Sequence, residues 1–328
     1  EDLFISQPAG LPCRLLIQQE DGTLQDQTRE YDLEWLDASR NGMFVDLDND
    51  GDQDFIISLN YSTVIFENLA PGKLFLRTQI DVHSWPASFA AADYDGDGDV
   101  DLFICGYNPR GETAPGDIFA NPVPYHDANN GARNFMMQND GEFAFSDVTA
   151  AVGFDANNHR FSFAATWEDY DNDGDPDLYV ANDFGRNNLY RNDRDANGQV
   201  RFTDVAREAG VEDISAGMSV SWGDYNHDGL MDVYVSNMFS SAGNRITYQE
   251  QFKTNEDDTT RASIQRHARG NTLFQNNGDG TFRDVSVDAH VTMGRWAWGS
   301  LFTDINNDSW EDIYVTNGFF TTPDTGDL

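Results

Sequence analysis

An acidic stretch recurs five times along this chain, and it constrains the fold more than any other feature. Its second copy, from Asp93 to Asp101, carries five carboxylates in nine residues. So many like charges cannot enter a packed core unpaired, because burying an uncompensated carboxylate is very costly. If the backbone curls tightly, the side chains at positions 1, 3, 5 and 9 converge on one point and position 7 adds its carbonyl oxygen. The stretch therefore predicts an oxygen cage for calcium, similar to the first nine positions of an EF-hand loop.

The five copies keep the same spacing of oxygen-bearing residues, and we expect up to five calcium ions. We name them loops 1 to 5, and their candidate ligands are Asp46, Asp48, Asp50, Asp52 and Asp54 in loop 1; Asp93, Asp95, Asp97, Asp99 and Asp101 in loop 2; Asp169, Asp171, Asp173, Asp175 and Asp177 in loop 3; Asp224, Asn226, Asp228, Leu230 and Asp232 in loop 4; and Asp304, Asn306, Asp308, Trp310 and Asp312 in loop 5. The alternative is that these Asp, Asn and Gly clusters form only hairpin turns.

Loops 4 and 5 depart from the strict pattern. Asn226 and Asn306 each remove a charge at position 3, and Ser309 replaces the glycine that permits the sharp turn at position 6. Leu230 and Trp310 can contribute only their backbone carbonyls. We therefore expect loops 1 to 3 to bind calcium more tightly than loops 4 and 5.

Short strand patterns surround every loop. One apolar run ends at the first aspartate, as in Met43-Phe44-Val45, and another follows the loop, as in Phe55-Ile56-Ile57. Two further short strands open each unit, which makes four strands per repeat. The prediction is an all-β, single-domain β-propeller over 1–328 with blades of four strands. The five complete units are about 14–57, 63–104, 134–180, 188–235 and 271–315, with insertions at 106–133 and 237–270.

These motifs resemble the FG-GAP/VCBS repeat family, known from integrin α-chain propellers. Asn188 to Asn192 and Phe202 to Val205 look especially like the cartilage-acidic-protein-like branch. The resemblance implies a calcium-binding propeller, commonly of seven blades, so the five units are expected to be part of a larger ring. Asp2 to Ile5 matches a strand that lacks its loop, which favours an open gap at the ends. The alternative is a closed ring of five blades in which this strand pairs with the 271–315 unit.

The formal charge of −37 argues against nucleic acid or an anionic membrane as partner. No apolar run reaches membrane-spanning length, so no membrane insertion is expected. Calcium loops of this kind usually fill outside the cytosol, which predicts a secreted or cell-surface protein. The two cysteines, Cys13 and Cys105, leave two possibilities open: a disulfide or two buried thiols.

The leading functional prediction is a non-catalytic binding or adhesion module. We expect a protein or glycan partner to contact the two insertions, because rigid scaffolds commonly carry function on loops. Self-association through incomplete blade edges is also expected, as in a surface assembly. The alternative is a carbohydrate-active enzyme resembling polysaccharide lyases. Its candidate residues are His126, Arg261, Arg266, His267 and Arg269. Trp296 and Trp298 could stack on sugars, but packing between blades is the expected role.

Overall fold

A computed structural model of the chain describes residues 2–70, 73–109, 121–195 and 197–318. These residues form many strands and three short helices, so the predicted all-β class is confirmed. They divide into two compact units. The first unit holds the described residues of Glu1–Ala120 and Ala132–Ala150, and the second holds those of Asn121–Gly131 and Ala151–Leu328. The single domain over 1–328 stays a prediction.

The first unit contains three antiparallel sheets. Its strands are β1 (Leu3–Ile5), β2 (Arg14–Gln18), β3 (Leu24–Asp26), β4 (Ser39–Val45), β5 (Asp54–Leu59), β6 (Ser62–Ala70), β7 (Lys73–Asp81), β8 (Ser84–Ala92), β9 (Asp101–Pro109), β10 (Phe135–Asn139) and β11 (Phe145–Asp147). Sheet 1 is β1-β2-β3, sheet 2 is β4-β5-β6-β7 and sheet 3 is β8-β9-β10-β11. Strand β1, which the sequence left without a partner, pairs with β2 through Leu3 and Leu16.

The second unit repeats this organisation and adds the helices. Its elements are β12 (Phe161–Glu168), β13 (Asp177–Asp183), β14 (Gly185–Arg186), β15 (Asn188–Arg194), β16 (Val200–Asp204), α1 (Ala206–Ala209), β17 (Ile214–Ser215), β18 (Gly217–Gly223), β19 (Asp232–Asn237), α2 (Ser241–Thr247), α3 (Asp258–Ala268), β20 (Thr272–Asn276), β21 (Phe282–Asp284), β22 (Ala297–Thr303) and β23 (Asp312–Asn317). Sheet 4 is β12-β13-β15-β16, sheet 5 is β18-β19-β20-β21, sheet 6 is β22-β23, and β14 pairs with β17.

The predicted blades of four antiparallel strands are present, but the sheets are offset from the predicted units by two strands. Each four-stranded sheet begins with the strand before an acidic loop, whereas each predicted unit ends with the strand after it. The described residues therefore form four sheets of four strands, with sheet 1 of three strands and sheet 6 of two. A sequence repeat gives the period of a structure and leaves its starting point open, because the hydrogen bonds alone decide which strands share a sheet.

The core lies between successive sheets within each unit. The second strand of every four-stranded sheet is buried along almost its whole length, which explains its continuous apolar sequence. In the first unit, Ile56 and Ile65 of sheet 2 belong to one cluster with Leu102 and Ile104 of sheet 3. In the second unit, Leu189 of sheet 4 belongs to one cluster with residues of sheet 5 such as Val233.

A repeated asparagine fixes the turn from the second strand to the third. The side-chain oxygens of Asn134, Asn187 and Asn271 each accept a backbone N–H bond from the second half of the second strand of their sheet, always at 2.8 Å. In sheet 4 the asparagine with this role is Asn187, whereas the repeated sequence segment begins at its neighbour, Asn188. In sheet 5, Asn271 also donates to the hydroxyl of buried Tyr234 at 2.7 Å, and that hydroxyl donates to the Val291 carbonyl at 3.1 Å.

We predict that Tyr234→Phe lowers the free energy of unfolding by about 1–3 kcal/mol, because it leaves buried polar partners unsatisfied. Tyr314→Phe is the matched control, since Tyr314 lies at the same place in β23 but is 54% exposed. Urea denaturation of the variants measures the difference. Equal losses in the two variants would contradict this role of the hydroxyl.

Candidate functional site

The five acidic loops share one backbone curl. In every loop the carboxylate at position 1 accepts a bond from the backbone N–H at position 6, at 2.8–3.1 Å. In every loop the N–H at position 7 also donates to the side chain at position 5, at 2.9–3.1 Å. Ser309 takes the left-handed backbone that glycine takes elsewhere, with φ of 71°, so loop 5 keeps the curl despite the substitution.

Position 4 carries a signal that the sequence analysis missed. Its backbone is left-handed in all five loops, with φ between 58° and 75°. The residues at this position are Asn49, Gly96, Asn172, His227 and Asn307. Asparagine and glycine tolerate this conformation better than other residues do, so their recurrence could have identified a second left-handed turn inside each loop.

Loops 1 to 3 bring carboxylates together. Three groups have ligand atoms that all lie within 4.8 Å of one another, each formed by one loop. The groups are Asp46, Asp48 and Asp50; Asp93, Asp95 and Asp101; and Asp169, Asp171 and Asp177. Positions 1 and 3 take part in every group, whereas position 5 completes the group in loop 1 and position 9 completes it in loops 2 and 3. The predicted side chains of Asp54, Asp97 and Asp173 lie outside these closest groups.

The aspartates at position 9 are buried between strands. Asp54, Asp101 and Asp177 each accept a backbone N–H bond from position 2 of their own loop, at 2.9–3.3 Å. Each also accepts a backbone N–H bond, at 2.7–3.0 Å, from an asparagine of the third strand in the same sheet. Burial raises the pKa of Asp54 to about 6, of Asp101 to about 7 and of Asp177 to about 8. A nearby cation would keep these carboxylates ionised.

Loops 4 and 5 have the same backbone curl as loops 1 to 3 but carry fewer carboxylates. The amide of Asn226 donates to Asp228 at 2.8 Å, so positions 3 and 5 of loop 4 bond to each other. Burial raises the pKa of Asp232, at position 9, to about 7. In loop 5, Asp304 accepts bonds from the N–H groups of Asp308 and Ser309 at 3.0 and 2.8 Å. The ring of Trp310, at position 7 of loop 5, stacks on His227 of loop 4 with centroids 4.1 Å apart.

The donor chemistry of loops 1 to 3 fits a hard divalent cation. Every predicted ligand is a carboxylate or carbonyl oxygen, which is the donor type that calcium and magnesium prefer. One carboxylate oxygen of Asp46 and one of Asp171 are buried and have no hydrogen-bond partner among the described residues. A buried carboxylate oxygen without a donor is unfavourable, and a bound cation would satisfy it. The residues present therefore fit a metal.

Besides its acidic loops, the second unit has a polar cleft beside α3. The acidic loops join the first and second strands of their sheets, whereas both insertions join the second and third strands, at the other end of the sheet. The insertion after β19 contains α2 and α3. The cleft has a volume of about 430 Å³, and its lining includes Glu212, Tyr248, Ser263, Gln265 and Arg266.

Ion pairs hold the charged walls of this cleft. Arg266 donates to Asp213 at 2.9 Å and to Asp284 at 2.6 Å, and Asp284 also accepts from Arg269 at 2.8 Å. Arg186 pairs with Glu212. On its other side, Arg186 donates to Asp127 of the first insertion at 2.9 Å. These guanidinium groups are therefore fixed before any ligand arrives.

The candidate enzymatic residues are only partly brought together. Arg266 and Arg269 share the cleft, whereas Arg261 faces Asp258 at 3.7 Å. The half-buried ring of His267 lies 5.0 Å from the Tyr125 ring and 6.4 Å from the Phe184 ring, measured between centroids. Burial lowers the pKa of His267 to about 4, although the nearby Asp213 carboxylate opposes this shift. A base this weak is poorly matched to proton transfer near neutral pH.

The sequence matches the model of the FG-GAP-like repeat at residues 46–104, 169–235 and 262–315, which together exceed half of the chain. The chain belongs to the FG-GAP-like repeat family. Each of the three matched segments contains one or more of the acidic loops, so the repeat and the candidate metal sites coincide.

Cartilage acidic protein 1 is similar to this FG-GAP-like chain. The mouse protein is 27% identical over 192 residues, covering 58% of this chain and 26% of the relative. The human protein is 26% identical over 192 residues, covering 58% and 25%. The chain thus spans about a quarter of the length of these curated relatives. A solved Agrocybe aegerita lectin, described as recognising non-reducing terminal N-acetylglucosamine, matches with a TM-score of 0.47 at 15% identity, covering 95% of this chain and 73% of the lectin.

The remaining sequence candidates lie apart from the loops. Cys13 and Cys105 are both buried free thiols, which decides between the two possibilities left by the sequence. Burial raises the pKa of Cys105 to about 12. Trp298 is 40% exposed, and its ring lies 5.7 Å from Phe163, whereas Trp296 is half-buried. Within the described residues, none of the helices is long and apolar enough to cross a membrane.

We predict that His267 makes the fold less stable as the pH falls. Its folded pKa is about 4 and its unfolded pKa is about 6.5, so between these values the unfolded chain binds a proton that the folded chain does not. Stability is therefore full above pH 6.5 and falls towards pH 4, by roughly 3 kcal/mol at most. Urea melts of wild type and His267→Gln at both ends of this window measure the effect. The variant should lose less stability on acidification; parallel losses would refute the prediction.

Proposed function

We propose that this chain is an extracellular, non-catalytic binding module with calcium in its acidic loops and a glycan or protein partner at its cleft. The observation that carries the metal assignment is the grouping of three carboxylates in each of loops 1 to 3. Calcium suits these loops better than magnesium, because a flexible set of six to eight oxygen ligands is typical of calcium and strict octahedral geometry is typical of magnesium. Asp46, Asp48, Asp93, Asp95, Asp169 and Asp171 would hold the ions from positions 1 and 3. A bound ion would supply charge compensation and rigidity.

The cleft supports a saccharide as the first ligand class to test. Its volume is within the range of small-molecule sites, about 300–1,000 Å³. Tyr248 is 63% exposed, so its ring can offer a stacking face. Ser263, Gln265 and two ion-paired residues, Glu212 and Arg266, present donors and acceptors beside it, as the hydroxyl groups of a sugar require. A protein partner at the same insertions is the other class.

The extracellular assignment has two supports. The relative named cartilage acidic protein 1 carries the name of a tissue rich in extracellular matrix, and calcium is abundant outside cells. The chain is also strongly acidic, with a formal charge of −37, which suits a cation-rich environment. Self-association through the edges of sheets 1 and 6 stays a prediction.

The alternative proposal is a carbohydrate-active enzyme that uses His126, His267 and the arginines Arg261, Arg266 and Arg269. The observation in its favour is that Arg266 and Arg269 line the cleft. An activity screen against acidic polysaccharides separates the two proposals. Turnover by the wild type that disappears in His267→Ala would replace the non-catalytic reading.

Calcium should stabilise the protein mainly through loops 1 to 3. We expect chelation of calcium to lower the melting temperature by about 5–10 °C, because a ligand present at many times its dissociation constant adds several kcal/mol. Asp171→Ala and Asn226→Ala change position 3 in loops 3 and 4 and form a matched pair. Differential scanning calorimetry should show a larger loss of calcium stabilisation in Asp171→Ala. An unchanged melt with and without calcium would rule out the metal assignment.

The ligand prediction concerns Tyr248. If a sugar stacks on this ring, Tyr248→Ala should weaken binding about tenfold or more, since stacked aromatic anchors dominate many small sites. A glycan and matrix-protein array identifies the ligand, and titration of the best ligand measures the affinity. Tyr61→Ala, which removes an exposed tyrosine of the first unit, is the control and should bind like the wild type. Unchanged binding by Tyr248→Ala would show that the cleft is not the site.

A further inference from the structure

Asn139 joins two successive acidic loops in the first unit. It lies at the end of β10, is 1% exposed, and donates its backbone N–H to Asp101 of loop 2 at 2.8 Å. Its side-chain amide donates to the carbonyl of Leu47 in loop 1 at 2.9 Å and to that of Val100 in loop 2 at 3.2 Å. Leu47 in turn donates its own N–H to Asp54. The buried aspartates of loops 1 and 2 are thus connected through two residues.

Asn276 repeats this arrangement in the second unit. It lies at the end of β20, is 2% exposed, and donates its backbone N–H to Asp232 of loop 4 at 2.7 Å. Its side-chain amide donates to the carbonyl of Tyr170 in loop 3 at 2.9 Å and to that of Met231 in loop 4 at 3.2 Å. In both units, therefore, one buried asparagine bridges two loops: its side chain binds the position-2 carbonyl of one loop and its backbone N–H binds the position-9 aspartate of the next.

Neighbouring loops also touch through their exposed residues. Asn49, at position 4 of loop 1, donates to the carbonyl of Gly98 and the carboxylate of Asp99 in loop 2, both at 3.1 Å. The stack of His227 on Trp310 joins position 4 of loop 4 to position 7 of loop 5 in the same way. Position 7 is the predicted carbonyl ligand, so these contacts reach the ligand set of the next loop.

We propose that Asn139 and Asn276 couple neighbouring loops, so that loops 1 and 2, and loops 3 and 4, take up calcium cooperatively. The proposal rests on the calcium binding proposed above. Asp46 and Asp48 flank Leu47, so restraining these two carboxylates also restrains the Leu47 carbonyl. That carbonyl positions the Asn139 amide, and the backbone of Asn139 positions Asp101. Asn139 and Asn276 are positioning residues, since they act on the metal ligands through hydrogen bonds. Coupling of this kind is reciprocal between the two loops.

The full chain, labelled with ¹⁵N-glycine, is titrated with calcium alone and followed by NMR. The amide of Gly98, at position 6, reports loop 2, and Asp48→Ala disables loop 1. We expect Asp48→Ala to raise the calcium midpoint at Gly98 about fivefold, the scale of one net hydrogen bond. In an Asn139→Ala background the same change should raise it less than about twofold, because the bridge is already lost. Asn49 still links the two loops in that background and accounts for a small residual effect.

Asn68→Ala is the matched control. Asn68 occupies the same place in sheet 2, and within the described residues its bonds reach only loop 1, at Asp54 and Gln53. The fivefold response at Gly98 should therefore persist in this background. The bridge at Asn276 is tested in the same way. Asp171→Ala disables loop 3, the amide of Gly229 reports loop 4, and Asn276→Ala removes the bridge. This second test remains available if a variant of the first unit fails to fold.

Two results overturn the coupling. If Asp48→Ala leaves the calcium midpoint at Gly98 unchanged, the two loops bind calcium independently. A fivefold response that persists in Asn139→Ala would show that the bridge does not carry the coupling. Failure of the metal assignment gives a different result, because the glycine amides of the wild-type loops would then not respond to calcium at all.

Discussion

The burial of one aspartate in each of loops 1 to 4 is the constraint on which the rest of the structure depends. Asp54, Asp101 and Asp177 each tie the acidic loop to the third strand of the same sheet through two backbone N–H bonds. A buried carboxylate is costly unless it is bonded and its charge is balanced, and the other carboxylates nearby increase the cost. The loop sequence, the position of the third strand and the proposed role of a cation therefore meet at the same residue.

The two ends of each sheet differ in how strictly their connections repeat. At one end, the loops repeat almost unchanged, because the curl, the buried aspartate and the asparagine of the third strand depend on one another. At the other end, the connection between the second and third strands varies from a short turn after β13 to the long insertion that contains α2 and α3. The ion pairs of Arg186 and Arg266 hold the side chains there in place without depending on the loops. The proposed binding surface can therefore change while the acidic loops stay the same.

The clustering of carboxylates in loops 1 to 3 could be predicted, because copies at one spacing place the same side chains on one curl of the backbone. The grouping of strands into sheets could not, since the repeat has no marked beginning. The choice of Asn187 over its neighbour Asn188 depends on a hydrogen bond to Asn182 that the sequence does not reveal. The packing of residues 121–131 within the second unit depends on pairs such as Asp127 with Arg160, which are far apart in the chain. By contrast, the left-handed residue at position 4 had a visible signal in the recurring asparagines.

Calcium binding by loops 1 to 3 is tested most sharply by an X-ray structure of the full chain grown with calcium, with anomalous differences measured at a long wavelength. We expect anomalous peaks within the carboxylate groups of loops 1, 2 and 3, and weaker peaks or none in loops 4 and 5. The aspartates at position 9 should keep their bonds to the third strand when the ion is present. Well-ordered loops without anomalous density, at calcium concentrations typical of extracellular fluid, would contradict calcium binding by these loops.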